Sequence, residues 1–214
     1  MAKISIITIC YNSEETISET LKSIKSQSFK DFEHVVIDGG STDKTISIIE
    51  KENISSKIIS EKDNGIYNAF NKGIINSKGE IIGFLNSDDI FYSTNSLREI
   101  EHSFNENVDC VFGDLVYTNS RNKITRIWKG SPFSKGSFKK SWMPAHPTFY
   151  CKRNVYDKYG FYNESFRIAG DFELMLRYLE KYKIRSNYIS KTLISMKSGG
   201  ISNKSLLNKF KILS

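Results

Sequence analysis

The sequence predicts an α/β fold of Rossmann-like type: a single domain whose mixed, mostly parallel sheet is flanked by helices. Three observations carry this. Over the first hundred residues, short β-branched runs alternate with helical patterns of about ten residues, the signature of βαβ units. The strand-like runs are continuously apolar, as expected where helices cover both faces of a sheet. Polar clusters fall at the ends of those runs, the edge along which open α/β sheets bind ligands.

In order, "KISIITIC" is the first strand. "NSEETISETLKSIKSQ" follows, with Asn12 three residues before Glu15, a capping-box spacing, and Ile17, Leu21 and Ile24 on one helical face. "FEHVVIDGG" is the second strand and "STDKTISIIEKEN" the next helix, with Ser41 or Thr42 as its cap. "SKIISEKD" leads into "NGIYNAFNKGIINS", where Ile66, Phe70 and Ile74 keep helical spacing, and "EIIGFLNSDD" is the fourth strand. After about residue 105 the pattern changes. "VDCVFGDLVYTN" and "KITRIWKG" predict a hairpin, and a long irregular stretch follows. "DFELMLRYLEKYK" predicts a helix burying Phe172, Met175, Leu176 and Leu179, and "IRSNYISKTLISM" a late strand.

A chain of 214 residues buries a substantial core. No run reaches the roughly 18 apolar residues of a membrane span, and "MAKISIITIC" turns polar too soon for a signal peptide. Cys10, Cys110 and Cys151 form no C-x-x-C pair, which predicts reduced, buried thiols in a cytoplasmic protein. The net charge of +7 is localised: residues 177–214 carry nine Lys and Arg against Glu180 alone, while the preceding 176 residues nearly balance. A second basic zone, Arg121 to Arg153, has nine Lys and Arg and no acid. Such zones are either solvated faces or attractors of lipid headgroups, diphosphates or nucleic acid. No nucleic-acid-binding motif accompanies the charge, and no nucleic-acid partner is expected. A Ser-His-Asp arrangement, a GKS/T phosphate loop and a metalloprotease helix are all missing, and "GGSTDK" is not a dinucleotide fingerprint.

Four polar groups can carry chemistry. Asp38, ahead of two glycines, offers a carboxylate suited to a base edge that presents an N–H, or merely caps its turn. Asp63 with Asn64-Gly65 opens a helix and reads as an anion or ribose site, or as an ordinary Asx turn. Asp88 and Asp89 are adjacent carboxylates at a strand end; each raises the other's pKa unless a cation lies between them. That pair suits an oxygen-ligating divalent ion sharing a diphosphate, or simply begins a turn. Asp171 opens an amphipathic helix, with Glu173 nearby, as either a cap or a general base. Trp142 offers an apolar surface for a sugar ring, and His146 stands between two prolines.

Together, "SIITICYNSEETISETLKSIKSQSF", "FEHVVIDGGSTDKT", "SEKDNGIYNAFNKGI", "GEIIGFLNSDD" and "HPTFYCKRNVYDKYGFYNESFRIAGDFELMLR" resemble the family 2 glycosyltransferases of GT-A fold. The "KDNGIYNAFNKGI" element is similar to the subgroup that builds bacterial surface polysaccharides of the colanic-acid, capsule and O-antigen kinds. The resemblance implies an inverting, metal-dependent transfer from a nucleotide-diphosphate sugar, a UDP-sugar foremost, to a glycan or polyprenyl-linked acceptor. It implies a nucleotide site of Thr8, Tyr11, Asn12, Asp38, Asp63, Gly65, Asn68 and Asp88, a Mn²⁺ or Mg²⁺ site at Asp88 and Asp89, and Asp171 as base. Trp142, His146 and Glu173 are further candidates for acceptor or metal contact. Two positions depart from the family pattern: Asn86 stands where the metal motif often has its first Asp, and Gly170 stands where an acid often precedes the base. On this reading residues 1–105 form the nucleotide-sugar half, 106–200 the acceptor and catalytic half, and 201–214 a basic amphipathic tail. Leu206, Leu207, Phe210 and Leu213 on one face of that tail suit either an anionic leaflet, with peripheral association at the inner membrane, or the chain's own core. A sugar-nucleotide nucleotidyltransferase or a non-catalytic nucleotide-sugar-binding scaffold are the alternatives. The first would normally show a Gly-rich loop after the first strand, which "TICYNSEET" does not have.

Overall fold

The structure, a computed structural model, describes residues 2–54 and 56–197. The first half runs β1 (Ile4–Cys10), α1 (Ile17–Lys25), β2 (Phe32–Asp38), α2 (Thr45–Glu52), β3 (Ser56–Ser60), α3 (Ile66–Asn76) and β4 (Ile81–Phe84). Then come β5 (Asp89–Phe91), α4 (Ser96–His102), β6 (Cys110–Thr118) and β7 (Ile124–Trp128). The chain continues through β8 (Tyr150–Lys152), α5 (Arg153–Tyr159), α6 (Gly170–Leu176) and β9 (Ser186–Lys197).

The nine strands among the described residues join one sheet in the order β3-β2-β1-β4-β8-β6-β9-β5, with β7 paired to β6. β3, β2, β1 and β4 are mutually parallel. The sheet turns antiparallel at β4–β8 and β8–β6, and β6 and β9 are parallel again. The ends of β1, β2, β3 and β4 therefore lie along one edge, and the polar clusters after them meet there. The apolar runs have the predicted cause. In β1, Ile7 packs with Phe70 and Ile74 of α3 on one face, while Ile4 and Ile6 pack with Ile24 of α1 on the other.

The hairpin β6–β7 and the late strand β9 form as expected. β5 and β8 carry no sequence signal because three residues are too few for a periodicity to register. The caps differ from expectation. Asn12 takes a left-handed φ of 48° and its Oδ1 accepts the Thr42 amide, so no capping box forms and α1 starts only at Ile17. Neither Ser41 nor Thr42 caps α2; the Thr45 amide donates to Asp43 instead. The helix of Asp171 buries Leu174, Met175, Tyr178 and Leu179, while Phe172 and Leu176 sit half-buried; α6 passes into a π-helical turn at Arg177–Lys181. The three cysteines are free and buried. Among the described residues no helix is long and apolar enough to cross a membrane. The expected amphipathic tail at 201–214 lies outside the described residues.

Candidate active site

The loop after β2 is closed upon itself. Asp38 is fully buried, and its Oδ2 accepts the amides of Gly40 (3.1 Å) and Ser41 (2.9 Å) and the Ser60 hydroxyl (2.7 Å). Its Oδ1 accepts the Ser41 hydroxyl at 2.5 Å and, weakly, the Cys10 thiol. Burial alone would raise this carboxyl, but the Ser41 and Ser60 hydroxyls and the Ser41 amide outweigh it and hold the pKa below the usual range. A base edge would have to compete with five existing donors. Asp38 builds this loop and turns no free oxygen outward.

Thr8 and Asn12 are likewise engaged. Thr8 is fully buried and its hydroxyl meets His34 Nε2 at 3.0 Å; His34 Nδ1 meets the Ser56 hydroxyl at 2.7 Å across the sheet. Burial lowers the His34 pKa to about 4. Asn12 donates its amide to the Ser41 hydroxyl while accepting from Thr42, which locks the β1 loop to the β2 loop.

Tyr11 and Asp63 remain open. Tyr11 is 63% exposed at the end of β1. Asp63 Oδ1 accepts the Gly65 amide, and a Cβ placed on Gly39 would lie 2.7 Å from Asp63 Oδ2 and 3.4 Å from the Tyr11 ring. The missing side chain at Gly39 is what lets the carboxylate and the ring approach each other. Gly65, at φ 115° and with open space where a Cβ would stand, leaves the uncapped N-terminus of α3 accessible. Asn68, one turn in, is committed to structure: its Oδ1 accepts the Asn64 amide and its Nδ2 donates to Glu164.

The turn after β4 is the opposite case. Asp89 is fully buried, and neither of its carboxyl oxygens has a hydrogen-bond partner; Asn86 Oδ1 is also buried and unpartnered. Burial first, and the charge of Asp88 second, raise the Asp89 pKa well above the usual carboxylate range. Asp88 is only partly covered; burial raises its carboxyl, opposed by its own backbone amide and the Lys197 charge. The turn is held by Ser13 and Ser87, whose hydroxyls meet at 2.9 Å, and by Thr20, which donates to the Asp89 carbonyl. Orphaned oxygens beside a partly open carboxylate fit a hard divalent cation such as Mn²⁺ or Mg²⁺. Asp88 is the partly exposed carboxylate of the turn, whereas the Asp89 carboxyl oxygens and Asn86 Oδ1 are enclosed. Among the described residues no group of three or more His, Cys, Asp or Glu converges, so two carboxylates and one amide are what the turn itself contributes.

Asp171 stands at the start of α6, where Tyr67 Oη lies 3.4 Å from its Oδ1. Tyr67 stacks on Tyr162 at 5.8 Å, and the Tyr162 hydroxyl meets His146 Nε2 at 2.7 Å. His146 in turn stacks on Phe84 at the end of β4, at 5.7 Å. An aromatic series thus runs from β4 to Asp171. Burial lowers the His146 pKa, and the charge of Asp171 works against that. Glu173 is not free: both its oxygens receive the Arg177 guanidinium, which also binds the carbonyls of Tyr159, Gly160 and Phe161. Trp142 packs edge-on against Phe138 and Phe112, and its Nε1 donates to Ser131. Tyr67 is the residue the sequence left unmarked. Its place one residue past Ile66 in the helical pattern was the one available signal.

The exposed Tyr11 and Asp63 and the unpartnered acidic turn after β4 thus lie along the edge where the parallel strands end. The family model for glycosyl transferase family 2 matches residues 5–170, and the chain belongs to that family. It is 31% identical over 220 residues to the Escherichia coli protein named UDP-Glc:alpha-D-GlcNAc-diphosphoundecaprenol beta-1,3-glucosyltransferase WfaP, covering 100% of this chain and 83% of WfaP. A PGL/p-HBAD biosynthesis glycosyltransferase of Mycobacterium bovis is 28% identical over 207 residues, covering 93% of this chain and 78% of that protein. The S. aureus TarS 1-349 structure in complex with UDP-GlcNAc superposes with a TM-score of 0.71 at 23% identity, covering 92% of this chain and 59% of TarS 1-349. The GT-A fold follows from that likeness.

Proposed function

We propose that this glycosyltransferase moves a sugar from a UDP-sugar to a glycan or lipid-linked acceptor, with inversion, in the synthesis of a bacterial surface polysaccharide. The unpartnered oxygens of Asn86 and Asp89 beside Asp88 carry the proposal, because a buried carboxyl without a partner is unfavourable and a bound cation would satisfy it. The printed name of WfaP supports the UDP-sugar and the diphosphoundecaprenol-linked acceptor. The same kind of acceptor favours peripheral association at the inner face of a membrane.

In this scheme Tyr11 stacks on the base while Asp63, rather than the saturated Asp38, accepts its N–H. Asp171 removes the proton of the acceptor hydroxyl as that oxygen attacks the anomeric carbon. The new C–O bond forms on the face opposite the breaking bond to UDP, so configuration inverts and no protein nucleophile is needed. A divalent cation held at Asp88 and Asp89, with Asn86 beside them, would neutralise charge on the departing diphosphate. Glu173, tied to Arg177, serves as scaffold for α6.

The test is a calorimetric screen of UDP-, dTDP- and GDP-sugars with and without Mn²⁺. Tight binding of UDP-sugars that requires Mn²⁺ is expected, with slow release of free UDP on incubation. Full-strength binding without metal in an Asp88→Ala protein would overturn the metal assignment. Intact binding with no turnover of any donor would favour the scaffold alternative.

A further inference from the structure

The environment of Asp171 contains three features that its proposed role as base does not require. Ala169, two residues earlier, holds a left-handed backbone (φ 65°, ψ 21°), a conformation that costs a non-glycine residue about 1 kcal/mol. Gly170 lies against the ring of Tyr67, and a Cβ there would come within 2.8 Å of two ring carbons. The Gly170 amide donates to Tyr67 Oη at 2.7 Å. Only glycine at this position leaves room for the tyrosine.

These contacts orient the tyrosine proton. Tyr67 Oη accepts the Gly170 N–H, which directs its own O–H towards Asp171 Oδ1 at 3.4 Å. That separation is long for a hydroxyl bond, as catalytic hydrogen bonds often are before substrate arrives. The ring cannot drift. It stacks on Tyr162, whose backbone amide and carbonyl are both taken by the buried Asn71 side chain. The sharp left-handed turn at Ala169 then delivers Asp171 onto the hydroxyl.

We infer that Tyr67 is a positioning residue for the base: it fixes the Asp171 carboxylate through one oxygen and leaves the other for the acceptor hydroxyl. The inference rests on Asp171 being the base. It also explains why α3, which opens beside Asp63, is coupled to α6 although the two are about a hundred residues apart: donor site and base share one rigid support.

The test uses the full chain, Mn²⁺, and whichever of UDP-glucose and UDP-N-acetylglucosamine the parent hydrolyses faster, with UDP release as the rate and UDP calorimetry as the binding measure. Tyr67→Phe removes only the hydroxyl. It should lower kcat about 10- to 100-fold, the range for loss of a hydrogen bond to a charged group. KM and UDP affinity should stay within about twofold. Tyr67→Phe leaves the Gly170 amide unpaired, so Gly170→Ala is the second variant; its Cβ displaces the ring and should give the same split between kcat and KM. Asp171→Asn is the control for the base. If Asp171→Asn has lost UDP release while both other variants keep kcat within twofold of the parent, the positioning role is wrong and the base assignment survives. Loss of UDP affinity in step with kcat in both variants would also overturn it, since the residues would then support the donor site generally. If Asp171→Asn itself keeps the parent rate, the base assignment falls and takes the inference with it.

Discussion

Two carboxylates at the same edge of one sheet have opposite surroundings. Asp38, after β2, receives five donors; Asp89, after β4, receives none. Both are fully buried. The contrast teaches that burial alone does not mark a functional carboxylate. A saturated carboxylate is committed to folding its loop, whereas an orphaned one has oxygens that nothing in the fold engages.

The sharpest way to break the comparison is at Asp88. Replacing it by Ala should reduce UDP release about 10²–10³-fold, the scale of removing one electrostatic contact to a leaving group, while the urea midpoint moves little. Asp38→Ala should do the reverse. It strands the Gly40 and Ser41 amides and should cost about 3 kcal/mol or more in urea unfolding. If Asp38→Ala folds as stably as the parent but loses UDP affinity, Asp38 is a ligand residue after all.

His34 belongs to the saturated half, and its pKa gives that half a pH dependence. Its folded-state pKa is lowered from 6.5 to about 4, so the unfolded chain binds the proton more readily. The stability it supports is full above about pH 6.5 and is lost as pH falls from there through 4, on the order of 3 kcal/mol in all. Urea midpoints for the parent and His34→Gln between pH 7 and 4 should diverge least at the acid end; parallel curves would refute this.

Asp89→Asn should stabilise the metal-free protein at pH 7, by roughly 1–2 kcal/mol, because a buried unpartnered carboxyl is unfavourable. A fall in the melting temperature in EDTA would mean that Asp89 has a partner the turn does not reveal. The smallest effect belongs to Asn68→Ala. With both ends of its side chain spent on Asn64 and Glu164, it should cost about 1 kcal/mol and leave UDP affinity within about twofold.

Much of this was legible beforehand, for local reasons. The parallel half could be read because each of its helices is eight residues or longer and β1 and β2 are seven-residue strands built around Ile and Val. The polar clusters could be placed because a strand end is marked by where the apolar run stops. The division of tasks within those clusters was not legible. Asp38 and Asp63 are equally acidic letters in equally plausible turns, and Ser60, which helps to saturate Asp38, lies 22 residues away. Glu173 is by its letter a second acid beside Asp171, but Arg177, four residues on, holds it.

The sequence by itself determined the α/β class, the family, the edge at which the site forms and the residue types available there, because periodicity and strand-end motifs are properties of neighbouring letters. Only the tertiary structure decided which carboxylates are free, that Asp63 stands over Gly39, and that Tyr67 reaches Asp171. Those outcomes depend on hydrogen-bond partners and packing space supplied by strands and helices distant in the chain. A residue's chemistry is written in its letter, but its availability is settled by what the fold brings against it.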